Sequence, residues 1–198
     1  MKRLLFLIVI LLAAFSAYWY LLRTKKGSKA DTTEKPILQK KHSEAFNKSI
    51  DEVVAGYLSV KDAFVNDDTA TAKAKTAAFI QSLDAIDMKE LEKDSSAIVQ
   101  TAQASITDIK SNAASLLNQT DIKEMRRDFN MVTEMMYPAF FKAINYEGAT
   151  LYLINCASAF GESESANWLS KDTVMANPYL GKAMPACGEL KDSVLATK

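Results

Sequence analysis

Imidazole and sulfur are scarce in this chain: its 198 residues hold one histidine, His42, and two cysteines, Cys156 and Cys187. A serine or cysteine triad needs an imidazole beside its nucleophile, and nothing in the sequence brings His42 near one. His42 reads instead as a solvated residue at the start of the first helical stretch. The six glycines are scattered, so there is no phosphate-cradling loop and no dinucleotide fingerprint. NDDTATAKAKTA, from Asn66 to Ala77, lacks the acid alternation and central glycine of a calcium loop. Glu162 and Glu164 lie in the polar loop GESESAN, a poor place to hold two carboxylates at catalytic distance. The chain is expected not to be an enzyme.

A basic surplus is also missing where it would count. The formal charge is zero, but six of the 24 basic residues (Lys2, Arg3, Arg23, Lys25, Lys26 and Lys29) precede the first acid, Asp31. From Asp31 onward 18 bases face 24 acids, a net of −6. Such a domain has no electrostatic footprint for nucleic acid, and that partner class is set aside.

What is present begins with LLFLIVILLAAFSAYWYLL, Leu4 to Leu22, uncharged and about long enough to cross a bilayer core. Lys2 and Arg3 precede it, and Tyr18, Trp19 and Tyr20 sit where an interfacial aromatic belt lies. Residues 1–22 are read as a signal anchor or signal peptide, the former favoured because apolar residues continue past any cleavage site near Ala14 or Ser16. The membrane is thus an expected partner. RTKKGSKADTTEKP, residues 23–36, reads as a polar tether. Residues 37–198 are left as one domain.

That domain opens helically. Ile50, Val53, Val54, Tyr57, Lys61, Phe64 and Val65 recur at three- and four-residue steps, and Asn66 to Asp68 should stop the helix and cap the next. Phe79, Ile80, Leu83 and Ile86 mark a second helix. Ile98, Ala102, Ile106, Ile109, Ala113 and Leu116 mark a third, from about Asp94. Asp121 with Glu124 makes a capping-box-like start to a fourth, striped by Ile122, Met125, Phe129, Val132 and Met136 before Pro138 kinks or ends it. Four such segments joined by short polar turns predict an all-α fold, an antiparallel four-helix bundle. After Gly148 the period changes. ATLYLINC reads as a short strand opening an irregular C-terminal segment, 149–198. Asn177-Pro178 starts a turn there, and Gly181 supplies a backbone conformation that other residues avoid.

The sulfurs of that segment allow two chemistries. Met184 and Cys187 are three apart and can converge on one soft ion, with Cys156 completing a three-sulfur site for monovalent copper or silver. Met131, Met135 and Met136 add thioethers on the fourth helix, where core filling is the simpler use. Alternatively Cys156 and Cys187 form a disulfide, which an exported chain permits. Its closure would contribute roughly 3–4 kcal/mol in the chain-entropy account.

Three blocks carry a family resemblance. AGYLSVKDAFVNDDTATAKAKTAAF (Ala55 to Phe79), RRDF (Arg126 to Phe129), and TLYLINCASAF through NWLSKDTVMANPYLGKAMPACGEL resemble a bacterial exported domain of unknown function. That family occurs alone behind a signal peptide and also fused to periplasmic adaptor subunits of copper and silver efflux pumps. The resemblance spans Ile50 to Val194. It implies a periplasmic or inner-membrane-tethered helical domain that handles a heavy metal, with a metal-efflux system as partner. Cys156, Met184 and Cys187 match the family's motif. Its strand ends in a His-Cys-Pro-Met-Ala run, whereas here Asn155 replaces the histidine, Ala157 the proline and Ser158 the methionine. Two donors of the family's set are therefore absent, and the two sulfur chemistries both stand.

Overall fold

A computed structural model describes residues 41–194. The expected membrane segment and tether lie outside these residues. Among the described residues, no helix is long and apolar enough to cross a membrane.

The chain is mostly helical, with a small antiparallel sheet at its C-terminal end. Helix α1 (Glu44–Val65) starts at Ser43, whose hydroxyl accepts from the Phe46 amide at 3.2 Å. That bond satisfies one of the donors a helix start leaves open. Its stripe of Ile50, Val53, Val54, Tyr57 and Phe64 is buried. The Asn66-Asp67-Asp68 turn then ends it: Asp67 takes a positive φ of 56°, and the Asp68 carboxylate caps α2 (Thr69–Asp84) through the Thr71 amide at 2.9 Å. A 3-10 turn, Met88–Lys93, follows before α3 (Ser96–Asn118), whose six expected stripe residues are all buried. Helix α4 (Ile122–Met135) is capped by Asp121, which accepts from the amides of Lys123 and Glu124 at 2.8 and 3.3 Å. Beyond it the helix breaks at a kink over Met136–Phe140, where Tyr137 before Pro138 is extended (φ −114°, ψ 130°), and the one-turn α5 (Phe141–Ala143) follows. A proline cannot donate the ladder bond, so the regular helix stops there.

Successive helices pack on one another, α1 on α2, α2 on α3 and α3 on α4. Helix α1 also reaches α4 through aromatic rings: Phe129 stacks on Tyr57 at 4.9 Å and meets Phe64 at 5.3 Å. Burial of rings of this size contributes about 1.5–3 kcal/mol each, so this contact fixes α4 against α1.

Strand β1 (Leu151–Cys156) lies where the sequence placed it, and two further strands join it: β2 (Ala166–Ser170) and β3 (Glu189–Val194). The order is β2-β1-β3 with both pairings antiparallel. Cys156 lies opposite Ala166, and Ile154 opposite Trp168 on one side and Leu190 on the other. The register shifts between Leu153 and Ile154, leaving Lys191 as an extra residue in β3. The C-terminal segment is thus more regular than expected.

His42 departs from its sequence reading. Its side chain is 1% exposed, with Nε2 4.0 Å from Asp94 Oδ2 and its ring 4.6 Å from that of Phe46. The start of α1 is folded onto the end of the 3-10 turn, where the Ser43 amide also donates to Glu90 Oε1 at 2.9 Å. Tertiary neighbours bury the imidazole, and no local pattern announces them.

Candidate functional site

Cys156 ends β1 and Cys187 stands two residues before β3, so pairing β1 with β3 brings the two together. They are joined in a disulfide with a Cα–Cα distance of 5.9 Å across 31 residues of sequence, within the span such a bond bridges. Cys156 is 1% exposed and Cys187 half-buried. Gly188 follows at a close approach: a Cβ there would stand 2.6 Å from Trp168 Cη2 and 3.1 Å from Met175 Sδ. Only a hydrogen fits between the backbone at Gly188 and the buried indole.

Asn177 organises the turn that delivers Cys187. It is fully buried; its Oδ1 accepts from the amides of Tyr179 and Leu180 at 2.7 and 3.0 Å, and its Nδ2 donates to Cys187 O at 2.8 Å. Its own amide donates to Pro185 O at 2.9 Å. One side chain thereby mimics a backbone turn at both ends of the loop, as asparagine before proline commonly does. The Tyr179 hydroxyl donates to Asn167 O, tying the turn to β2. Burial pushes the Tyr179 hydroxyl pKa well above its ordinary value.

A second tie comes from α4. Arg126 is buried, and its Nε donates to Pro178 O at 2.6 Å while Nη2 donates to Phe64 O at 2.8 Å and to Asp67 Oδ1 at 2.6 Å. The hydrogen bond from Arg126, with further help from the Lys182 amide, holds the Asp67 carboxyl below the usual carboxylate range. One guanidinium so joins the end of α1, the α1–α2 turn and the Asn-Pro turn. Gly181 closes this knot at φ +53°, where a Cβ would overlap Asp67 Oδ1 and stand 2.5 Å from Arg126 Nη2. On the neighbouring turn, Arg127 forks onto both oxygens of Glu164 and lies 4.5 Å over the Phe160 ring. Glu164, read as a loop carboxylate, is thus held in an ion pair.

The positions where this chain departs from the resembled motif have other work. Asn155 Nδ2 donates to Asn167 Oδ1 at 2.8 Å, and Asn167 in turn donates to Glu134 Oε1 at 2.7 Å and, from its amide, to Asn130 Oδ1 at 3.2 Å. The residue in the histidine's place therefore bonds β1 to Asn167 of β2, and Asn167 fastens the sheet to α4. Ser158 Oγ lies 4.0 Å from Cys156 Sγ. Met184 is 54% exposed, beside Cys187, whose amide donates to Met184 O at 3.3 Å. Met136 is fully buried in the core and Met135 partly buried against it, while Met131 is 42% exposed. Among the described residues, no group of three or more histidine, cysteine, aspartate and glutamate side chains is placed to hold a metal.

Sequence reasoning placed both cysteines, Met184 and the Asn-Pro turn together. It missed the roles of Arg126 and Asp67, and at Asn177, where it placed the start of a turn, the side-chain bonds to both ends of the loop. The available signal was an arginine next to the apolar stripe of Met125 and Phe129, where a charge needs a partner.

The fold and these ties define a mostly helical domain whose C-terminal three-stranded segment is closed by a disulfide. A family model described as "Protein of unknown function (DUF3347)" matches residues 53–146. The match runs from within α1 to just before β1 and stops short of the disulfide-bearing segment. No curated protein and no solved structure matches the chain.

Proposed function

We propose that this is a non-catalytic interaction or scaffold domain, an antiparallel four-helix bundle carrying a stapled C-terminal segment, held in the periplasm at the inner membrane by its N-terminal residues. The observation that carries the reading is the Cys156–Cys187 disulfide. It occupies both thiols in one cross-link that fastens the motif-bearing loop, and an oxidising compartment is where such a bond persists. The pairwise packing of α1 to α4 and the ring contacts of Phe129 support the bundle. The test is a thiol titration of the exported chain. No reactive thiol before reduction and two after it are expected; two thiols before reduction would overturn the staple.

A second reading has its own observation in the exposure of Met184 beside Cys187. On reduction, Cys156, Met184 and Cys187 supply two thiolates and a thioether, a donor set suited to monovalent copper or silver, and an efflux system would be the natural partner. Anaerobic titration of the reduced chain with monovalent copper against a competing chelator separates the two. One held ion per chain, lost in Cys156→Ala and Cys187→Ala, establishes ion handling. An absence of competition leaves the scaffold reading alone.

A further inference from the structure

Strand β3 differs from β1, its neighbour in the sheet, in how little of it the core holds. Leu151 and Leu153 to Cys156 of β1 are buried, whereas Glu189 to Asp192 of β3 are exposed, Leu190 at 52%, and only Ser193 and Val194 are half-covered. Apolar burial therefore contributes little to its attachment. Its ladder with β1 is interrupted at Lys191, and bulges with charged residues are how edge strands resist further pairing. Besides the ladder, four ties hold the segment: the disulfide at Cys187, the bond from Asn177 to Cys187 O, the Cys187 amide donating to Met184 O, and the Tyr137 hydroxyl donating to Asp192.

We propose that residues 187–194 form a strap released by reduction, so that the Cys156–Cys187 bond controls whether the backbone edge of β1 that faces β3 stays paired. This rests on the disulfide of the scaffold reading and adds its regulation. The two sulfurs are unequally placed, Cys187 half-buried and Cys156 shielded, which directs attack to Cys187. A thiolate of a dithiol reductant bonds to Cys187 Sγ; the S–S bond breaks, and Cys156 leaves as a thiolate and takes up a proton. The second thiol of the reductant resolves the mixed disulfide. Two cysteine thiols and one oxidised dithiol result, with two electrons transferred. Without the cross-link, the segment keeps an interrupted ladder and three hydrogen-bond ties, the profile of a segment that opens locally while the rest stays folded. The β1 edge then uncovered presents the backbone groups of Leu151 to Asn155 that had paired with β3.

The test is amide hydrogen exchange on the full chain, oxidised and after treatment with a dithiol, with thiols titrated in each sample. Reduction is expected to speed exchange at least tenfold in residues 187–194 and in the β1 amides facing them, with α1 to α4 unchanged. Cys187→Ser is expected to show the same pattern with no reductant. An intact disulfide whose reduction leaves β3 protection unchanged overturns the strap alone. Loss of protection throughout α1 to α4 on reduction overturns it too, by making the bond a global staple. Reactive thiols before any reduction overturn both the strap and the disulfide on which the scaffold reading stands.

Discussion

Arg126 concentrates more of the C-terminal architecture than any cysteine does. Its guanidinium donates to two backbone carbonyls and a carboxylate from three separate segments, and a planar fork is suited to that task where an ammonium is not. Removing it leaves Pro178 O and Phe64 O without these donors, and bonds to a charged group contribute about 1.5–3 kcal/mol each. Arg126→Lys is therefore expected to destabilise the fold by about 2–4 kcal/mol, read from the urea midpoint at constant slope. An unchanged midpoint would mean that water replaces the guanidinium without loss. Gly181 belongs to the same knot. Its positive φ and the overlap of any Cβ with Asp67 act together, so Gly181→Ala is expected to cost more than about 1 kcal/mol. Asp67→Ala should relieve part of that cost in the double variant, since it removes the overlapping oxygen.

Between elements, the joint that matters most is Tyr57. From α1 its hydroxyl reaches Thr133 Oγ1 of α4 at 2.7 Å and accepts from the Leu169 amide of β2 at 3.1 Å. Burial raises the Tyr57 hydroxyl pKa well above its ordinary value, so it stays protonated and able to donate. Tyr57→Phe keeps the ring stack on Phe129 but strands the Leu169 amide, a loss of about 1–3 kcal/mol. Heat or urea unfolding checks this; a neutral result would assign the joint to the rings alone. This joint was not legible in the sequence, although the helices it connects were. Ile98, Ile106, Ile109 and Leu116 announce α3 because a 3.6-residue period needs no knowledge of its neighbours. The strand β1 was visible by its short apolar run of strand formers, Leu151 to Ile154. β2 and β3 were not. ANWLS is short, and ELKDSV lies exposed at an edge, where no apolar alternation is required of it. His42 failed for the converse reason: its burial comes from Asp94 and Phe46 across a turn, and only Phe46 lies near it in sequence. At the candidate site, the meeting of Cys156 and Cys187 was foreseeable from residue type and spacing. The choice of what joins them was not, because both chemistries require the same approach of sulfurs.

Over the whole molecule, several carboxylates each link a pair of segments distant in sequence. Asp67 joins the α1–α2 turn to Arg126 of α4 and to the Lys182 amide; Glu164 joins the β1–β2 loop to Arg127; Glu90 takes the Ser43 amide at the start of α1; Asp192 takes the Tyr137 hydroxyl. Each is held below its ordinary pKa, chiefly by the hydrogen bond from Arg126, Arg127, Lys93 and Tyr137 respectively. A carboxyl depressed in the folded state binds its proton more readily when unfolded. The stability it contributes is then present above the unfolded pKa, near 4, and is lost as pH falls through the folded value. The thermal midpoint is accordingly expected to be insensitive to these groups from pH 7 to about 5 and to fall below about pH 4. Asp67 is the one among them that closes on a buried cation, since Arg126 is itself only 7% exposed. Asp67→Asn is expected to lower the midpoint at pH 7 and to flatten the acid limb, so that the two curves converge as pH drops. Curves that stay parallel down to the acid limit would show that Asp67 ionisation is not coupled to folding, and the knot around Arg126 would then be held by its two carbonyls alone.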